Sequence, residues 1–279
     1  MSGNKTRTIG ATIVLSPFPV ERSRRAEFLG CPVDLYDRRE SLALIASAIE
    51  KRQRLQHVVV NVAKLVSMRR DEALRRDVAE SDLINIDGMG VVWGARLLGL
   101  QVSERVAGAD LMMDVLALCE QRGFRPYFFG ARPEVLDRFI VRVRELHPGL
   151  DIAGWHHGYF SRDEEDGIAS DIRDAKPDCL FIAISSPIKE RFLHAYRDDL
   201  DVPFLMGVGG TIDVVAGVVS RAPLWMQKAG LEWLFRLAQE PRRMWRRYLT
   251  TNAEYAVLMI RALLVRQMPD ASGCSKVRP

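Results

Sequence analysis

Residues 57–66 read HVVVNVAKLV, and residues 81–90 read SDLINIDGMG. Each holds a short, mostly apolar run and breaks at a small polar or glycine-rich turn, after which the apolar spacing becomes helical. A run of apolar residues without alternation is what a strand buried on both faces requires. The first stretch predicts a strand over His57–Val60 leading into a helix through Arg76. The second predicts a short strand, a Gly-rich turn and a helix through Leu98.

The same rhythm extends in both directions. Helical spacing covers 41–53, 109–122, 134–146, 163–175 and 188–199. Strand-like runs cover 126–129, 151–155, 179–184 and 202–206, the last followed by GVGGTID and a helix or turn. Strands of four to six residues alternating with helices predict an α/β fold, a Rossmann-like and mostly parallel sheet with helices on both faces. From Leu224 onward the pattern is purely helical and rich in Trp and Arg, which places a boundary near Ala222. The expected organisation is a mobile N-terminal arm over 1–27, an α/β domain over 28–221, a helical basic appendage over 222–268 and a flexible tail over 269–279.

At 279 residues, 48% hydrophobic and 27% charged, the chain can bury a sizeable core. The net charge of +4 is unevenly spread. Between Arg221 and Met268 there are nine basic residues against three acidic ones, so this segment carries the positive charge and the rest is slightly negative. The four cysteines (Cys31, Cys119, Cys179, Cys274) lie far apart in sequence and form no CxxC pair, which reads as a reducing compartment without a disulfide framework or zinc site. The first ten residues lack a signal-peptide core, and the most apolar late run, Tyr255–Val265, is shorter than the roughly 20 residues of a spanning helix. These features predict a cytoplasmic protein able to lie on a membrane.

Ligands of open α/β sheets sit beyond the carboxyl ends of the strands. The candidates are therefore Asn61, Asp87–Gly88, Gly130–Arg132, Ser185–Ser186 and Gly207–Thr211. Asp87 has two readings: a general base for a substrate hydroxyl, or a cap of the following helix. Gly207, Gly209 and Gly210, with Thr211 and Asp213, form a loop whose amides could hold a diphosphate, or a plain tight turn. Ile212 occupies the place of the third glycine of a dinucleotide fingerprint, and no Walker pattern is present. Arg105 could grip phosphate, or pair with Glu104 or Asp110 at the surface. The adjacent His156 and His157 are a poor metal pair, because neighbours in a strand face opposite ways. No metal site or cofactor is expected. In the appendage Arg242, Arg243, Arg246 and Arg247 share a helical stripe interleaved with Trp and Leu. Three readings stand for it: an interfacial helix on anionic lipid, a helix packing on the core, or an RNA-binding face.

Taken together, VVVNVAKLVSMRRD, DLINIDGMGVVWGARLLG, ERVAGADL, YFFGARPEV, HPGLDIAGWHHGYF, MGVGGTIDVVAG and RAPLWMQKAGLEWLFRLAQEPRRMWRRYL, in that order over residues 28–250, resemble the WecG/TagA/CpsF family of bacterial glycosyltransferases. The resemblance implies a metal-independent, inverting transferase acting on a UDP-sugar and a polyprenyl-diphosphate-linked glycan acceptor, peripheral on the inner face of the cell membrane. It implies Asp87 as the base, Arg105 at the departing diphosphate and Asn61 in the site. Gly88, Gly130, Ser186, Lys189, Glu190, Gly209, Gly210 and Asp213 are the further substrate-binding expectations, and the four appendage arginines would dock membrane or acceptor. Two positions depart from the family pattern. Val59 stands where Thr is usual. In SSPIKE, Ser185–Glu190, Lys189 stands where Gln is usual, exchanging a donor–acceptor for a charged donor. Donors of the UDP-N-acetylmannosamine and UDP-glucose types both stay open, as does a homo-oligomer. The competing functions are a nucleotide-cofactor oxidoreductase and a docking protein for membrane or RNA.

Overall fold

A computed structural model describes residues 24–185 and 188–267. The chain opens with a hairpin, β1 (Arg25–Phe28) and β2 (Cys31–Asp34). Leu29 and Gly30 both have positive φ, as a two-residue primed turn requires. Leucine is an uncommon choice there, so no Asn-Gly or Asp-Gly signal marks the turn. The hairpin takes in Arg25–Glu27, the end of the segment expected to be a mobile arm; residues 1–23 lie outside the described part. Phe28 and Val33 are buried, and Arg25 grips Asp34 through two bonds of 2.9 and 2.8 Å. Asp34 in turn accepts from the Ile84 amide at 2.7 Å, tying the hairpin to the sheet.

The helices and strands that follow are α1 (Arg38–Glu50), β3 (Leu55–Val60), α2 (Val62–Met68), α3 (Glu72–Glu80), β4 (Leu83–Ile86), α4 (Met89–Leu97), α5 (Gly108–Arg122), β5 (Pro126–Gly130), α6 (Pro133–Leu146), β6 (Gly154–His156), α7 (Glu165–Asp174), β7 (Cys179–Ala183), α8 (Ile188–Tyr196), β8 (Phe204–Gly207) and α9 (Thr211–Val215). The six strands β3 to β8 form one parallel sheet in the order β4-β3-β8-β7-β5-β6. Successive residues alternate between its faces. Phe128 and Phe181 pack under α1, α5 and α6, whereas Tyr127, Phe129, Leu180 and Ile182 pack under α7 and α8. Helices cover both faces, as the unalternating apolar runs imply.

Two expectations shift. The helix expected through Arg76 is broken into α2 and α3, because Asp71 caps the second by accepting from the Leu74 amide at 3.0 Å. The strand expected over 151–155 is shorter and lies further along the chain, at Gly154–His156, where it pairs with β5 at the sheet edge.

The appendage consists of α10 (Leu224–Lys228), α11 (Glu232–Gln239) and α12 (Pro241–Gln267). Twenty-seven residues make α12 about 40 Å long. It lies against α2 and α4. The Tyr255 hydroxyl donates to the Gly90 carbonyl at 2.8 Å, and Met259 is buried beside Gly94. Gly94 leaves the notch in which they sit: a Cβ there would overlap the Tyr255 hydroxyl. Leu249, Val257, Ile260 and Leu264 on the same helix stay exposed. One part of α12 therefore packs on the core while another shows apolar side chains to the surroundings. Among the described residues, no helix is long and apolar enough to cross a membrane.

Candidate active site

Parallel pairing sets the carboxyl ends of β4, β3 and β8 side by side, so Asp87, Asn61 and the Gly207–Gly210 loop form a row along one edge. Gly130, the last residue of β5, stands four strand spacings from Asp87, roughly 19 Å. The two cannot touch the same sugar ring. Gly130 has φ +133°, and a Cβ on it would collide with the backbone of Ala183, so close approach of β5 to β7 accounts for this glycine.

Above the Asp87 end lies a cavity of about 360 Å³ between the sheet edge and the appendage. That is within the size range of small-molecule sites. The α/β domain contributes Asn61, Asp87, Gly88, Trp93 and Arg105; the appendage contributes Glu232, Trp233, Arg236, Arg247, Tyr248 and Tyr255.

The position of Asp87 separates its two readings. The N-cap of α4 is Gly88, with no side-chain cap, so Asp87 does not cap that helix. Its backbone is held by the Val60 carbonyl at 2.9 Å and its carboxylate takes a bond from the Gly108 amide. Burial pushes the Asp87 carboxyl above its ordinary range; Arg105 pulls it down, Glu232 pushes it up, and the Gly108 amide and Arg236 pull it down, leaving it raised. Gly88 has φ +109°, a conformation that suits glycine and lets the chain turn directly after the carboxylate.

Asn61 caps α2: its side-chain oxygen accepts from the Lys64 amide at 3.0 Å. What it can offer a substrate is its NH2 group. Val59, in the place of the usual Thr, packs on Gly108, whose amide holds Asp87. Arg105 is nearly buried and pairs with neither Glu104 nor Asp110. Asp110 is taken by Arg221 through bonds of 2.5 and 2.8 Å, and Arg105 instead donates to Glu232 of the appendage at 2.7 Å.

The remaining expectations fall elsewhere. Lys189 forms an ion pair with Asp77 of α3 at 3.3 Å, lies beside Gly207 and is not one of the residues lining the cavity. Gly209 and Gly210 are exposed, and Asp213 lies in the first turn of α9, close to Gly210. Ser186 and the side chains of Glu190 and Arg243 lie outside the described residues. Arg247 lines the cavity; Arg242 is exposed, and Arg246 stacks over Trp245 at 5.3 Å. The His156 Nδ1 donates to the His157 carbonyl at 2.8 Å, and among the described residues no group of three or more His, Cys, Asp or Glu side chains could hold a metal ion. Cys119 and Cys179, 60 residues apart, bring their sulfurs to 3.5 Å in the core as free thiols. Glu232, Arg236, Trp93 and Tyr248 lie within the stretches that carry the family resemblance but were not expected in the site; apart from that, only the i, i+4 spacing of Glu232 and Arg236 marks a shared helix face.

A parallel α/β sheet with a partly sheltered carboxylate at its carboxyl edge, facing cations across a cavity, is the frame of a group-transfer enzyme. The family model described as "Glycosyl transferase WecG/TagA/CpsF family" matches residues 26–269, and the chain belongs to that family of glycosyltransferases. A Bacillus spizizenii protein named N-acetylglucosaminyldiphosphoundecaprenol N-acetyl-beta-D-mannosaminyltransferase is 38% identical over 173 residues, covering 62% of this chain and 66% of its own. A Bacillus subtilis protein of the same name is 33% identical over 184 residues, covering 66% of this chain and 70% of its own. Neither the oxidoreductase nor the docking-protein reading is supported by these matches.

Proposed function

We propose that this protein transfers a sugar from a UDP-sugar to a polyprenyl-diphosphate-linked acceptor, with inversion at the anomeric carbon and no metal ion. The observation that carries this reading is the Asp87 carboxylate, unused as a cap and held in a cavity with Arg105. Asp87 takes the proton of an acceptor hydroxyl. That oxygen attacks the anomeric carbon from the face opposite UDP, the bond from that carbon to phosphate oxygen breaks, and UDP departs with the electron pair. An α-linked donor then gives a β-linked product. Arg105 meets the charge that develops on the diphosphate; fixed donors aimed at developing charge can be the largest catalytic contribution. Burial serves the base, since a raised carboxyl pKa makes its ionised form more basic.

The printed names of the two Bacillus relatives favour N-acetylmannosamine as the sugar and undecaprenyl-diphosphate N-acetylglucosamine as the acceptor. The exposed Leu249, Val257, Ile260 and Leu264, with Arg242 and Arg246, favour a place on the inner face of an anionic membrane. The test is a panel of UDP-sugars incubated in EDTA with and without that acceptor, following UDP release. Acceptor-dependent release from UDP-N-acetylmannosamine is expected. Release from UDP-glucose alone would reassign the donor, and release only after adding a divalent metal would overturn the metal-free mechanism. In Asp87→Asn turnover should fall by about 100- to 10,000-fold while the donor still binds. Unchanged turnover would remove Asp87 from its role.

A further inference from the structure

Among the groups around Asp87, one comes from the appendage and carries the same charge. Glu232 starts α11 and bonds to Arg105 at 2.7 Å; its side chain is 24% exposed and that of Arg105 12%. A charged hydrogen bond at this depth holds its partner more firmly than an exposed pair does. The backbone fixes where Glu232 starts. Gly230, at φ +69°, lets the α10–α11 turn press on α4, and a Cβ there would lie 2.7 Å from the Trp93 ring and 2.8 Å from the Met89 Cβ.

We propose that Glu232 is a positioning residue of the transfer reaction: reaching in from the appendage, it orients the Arg105 guanidinium and keeps a second carboxylate in the cavity with Asp87. The inference rests on Asp87 being the base. The charged and titratable groups around that carboxylate are Arg105 from the loop before α5, Glu232 and Arg236 from α11, Arg247, Tyr248 and Tyr255 from α12, and Arg221 from the loop before α10. Only Glu232 among these carboxylate and cationic groups opposes ionisation of Asp87. Docking of the appendage therefore does more than cover the cavity. It supplies the counter-charge that stops Arg105 from collapsing onto the base, and it leaves Arg105 aimed at the leaving diphosphate.

The experiment is the pH dependence of kcat/KM for the full-length protein and for Glu232→Gln, Glu232→Asp and Glu254→Gln. The acid limb reports the base of the free enzyme. Removing the Glu232 charge takes away a group that raises Asp87 and unmasks Arg105, which lowers it, so the acid limb of Glu232→Gln should move to lower pH. Its kcat should fall by roughly up to 100-fold, the cost of a misplaced catalytic group. Glu232→Asp keeps the charge and should hold the limb near that of the parent. Glu254→Gln removes another tie between appendage and domain, the pair with Arg70, without entering the cavity, and should leave the limb in place. A limb unmoved in Glu232→Gln would overturn the proposal even if the rate fell, because the charge beside Asp87 would then have no effect on it. An equal shift in Glu254→Gln would overturn it too. Should Asp87→Asn keep normal turnover, the base assignment fails first and the Glu232 proposal with it. An inactive Asp87→Asn together with an unmoved Glu232→Gln limb would sink the Glu232 proposal alone.

Discussion

Asp87 shows how one residue's role depends on a neighbour one position away. A carboxylate after a strand and before a helix is a ready cap, yet Gly88 takes the N-cap position and its positive φ turns the Asp87 side chain out of that duty. His57 poses the opposite case, a titratable group sealed away from the chemistry. Its Nε2 lies 3.0 Å from the Asn85 oxygen, Asn85 donates to Ser41 at 3.0 Å, and all three are buried. Burial pushes the imidazole down from 6.5 to about 4, against a smaller upward pull from Asn85. The folded protein thus holds His57 neutral while the unfolded chain takes up a proton below 6.5. Stability present above pH 6.5 is lost as pH falls toward 4, by about 3 kcal/mol from this group. Urea unfolding between pH 7 and 4 should show the loss. His57→Gln should flatten that part of the slope, whatever its absolute stability; an unchanged slope would point to other groups.

At the scale of elements, the contact of α12 with α4 decides whether the cavity has its second wall. Gly90 and Gly94 lie one turn apart on α4, and Tyr255 and Met259 lie one turn apart on α12, so the two helices meet through small residues against large ones. Gly94→Ala puts a methyl group where the Tyr255 hydroxyl sits. The expected result is an α/β domain that melts near the parent temperature, an appendage cut faster by protease, and a much lower kcat/KM. Tyr255→Phe is milder: it leaves the packing and loses one hydrogen bond, about 1 kcal/mol. A Gly94→Ala protein with parental activity and protease resistance would show that α12 can shift without disturbing the site.

For the whole molecule, the exposed apolar and basic groups of the appendage bear on where the enzyme works. Trp225, Leu249, Val257, Ile260 and Leu264 are exposed, with Arg242 and Arg246 exposed nearby. Each Arg near an anionic leaflet contributes about 1 kcal/mol, so Arg242→Ala with Arg246→Ala should weaken binding to phosphatidylglycerol vesicles by roughly 30-fold, read by sedimentation. Neither side chain lines the cavity, so turnover on a short-chain soluble acceptor should stay near the parent value. Equal binding before and after the substitutions would leave the apolar side chains, or a second copy of the chain, as what this surface meets.

The sequence alone makes legible the α/β class, the alternation of most elements and the helical appendage, because buried parallel strands need largely apolar runs and helices need their own period. It also carried Asp87, Asn61 and Arg105 in stretches that point to the family. It did not reveal the hairpin, since a Leu-Gly turn lacks the usual turn residues, nor the break between α2 and α3, although Asp71 is a recognisable cap. The nearness of Cys119 to Cys179 and of Arg105 to Glu232 was decided by tertiary structure alone. Those pairs are 60 and 127 residues apart, and no local periodicity records which distant elements a sheet and a docking helix bring together. For the same reason Arg247 reads in sequence as one of four similar arginines, and only the docked helix sets it at the cavity while Arg242 and Arg246 face outward.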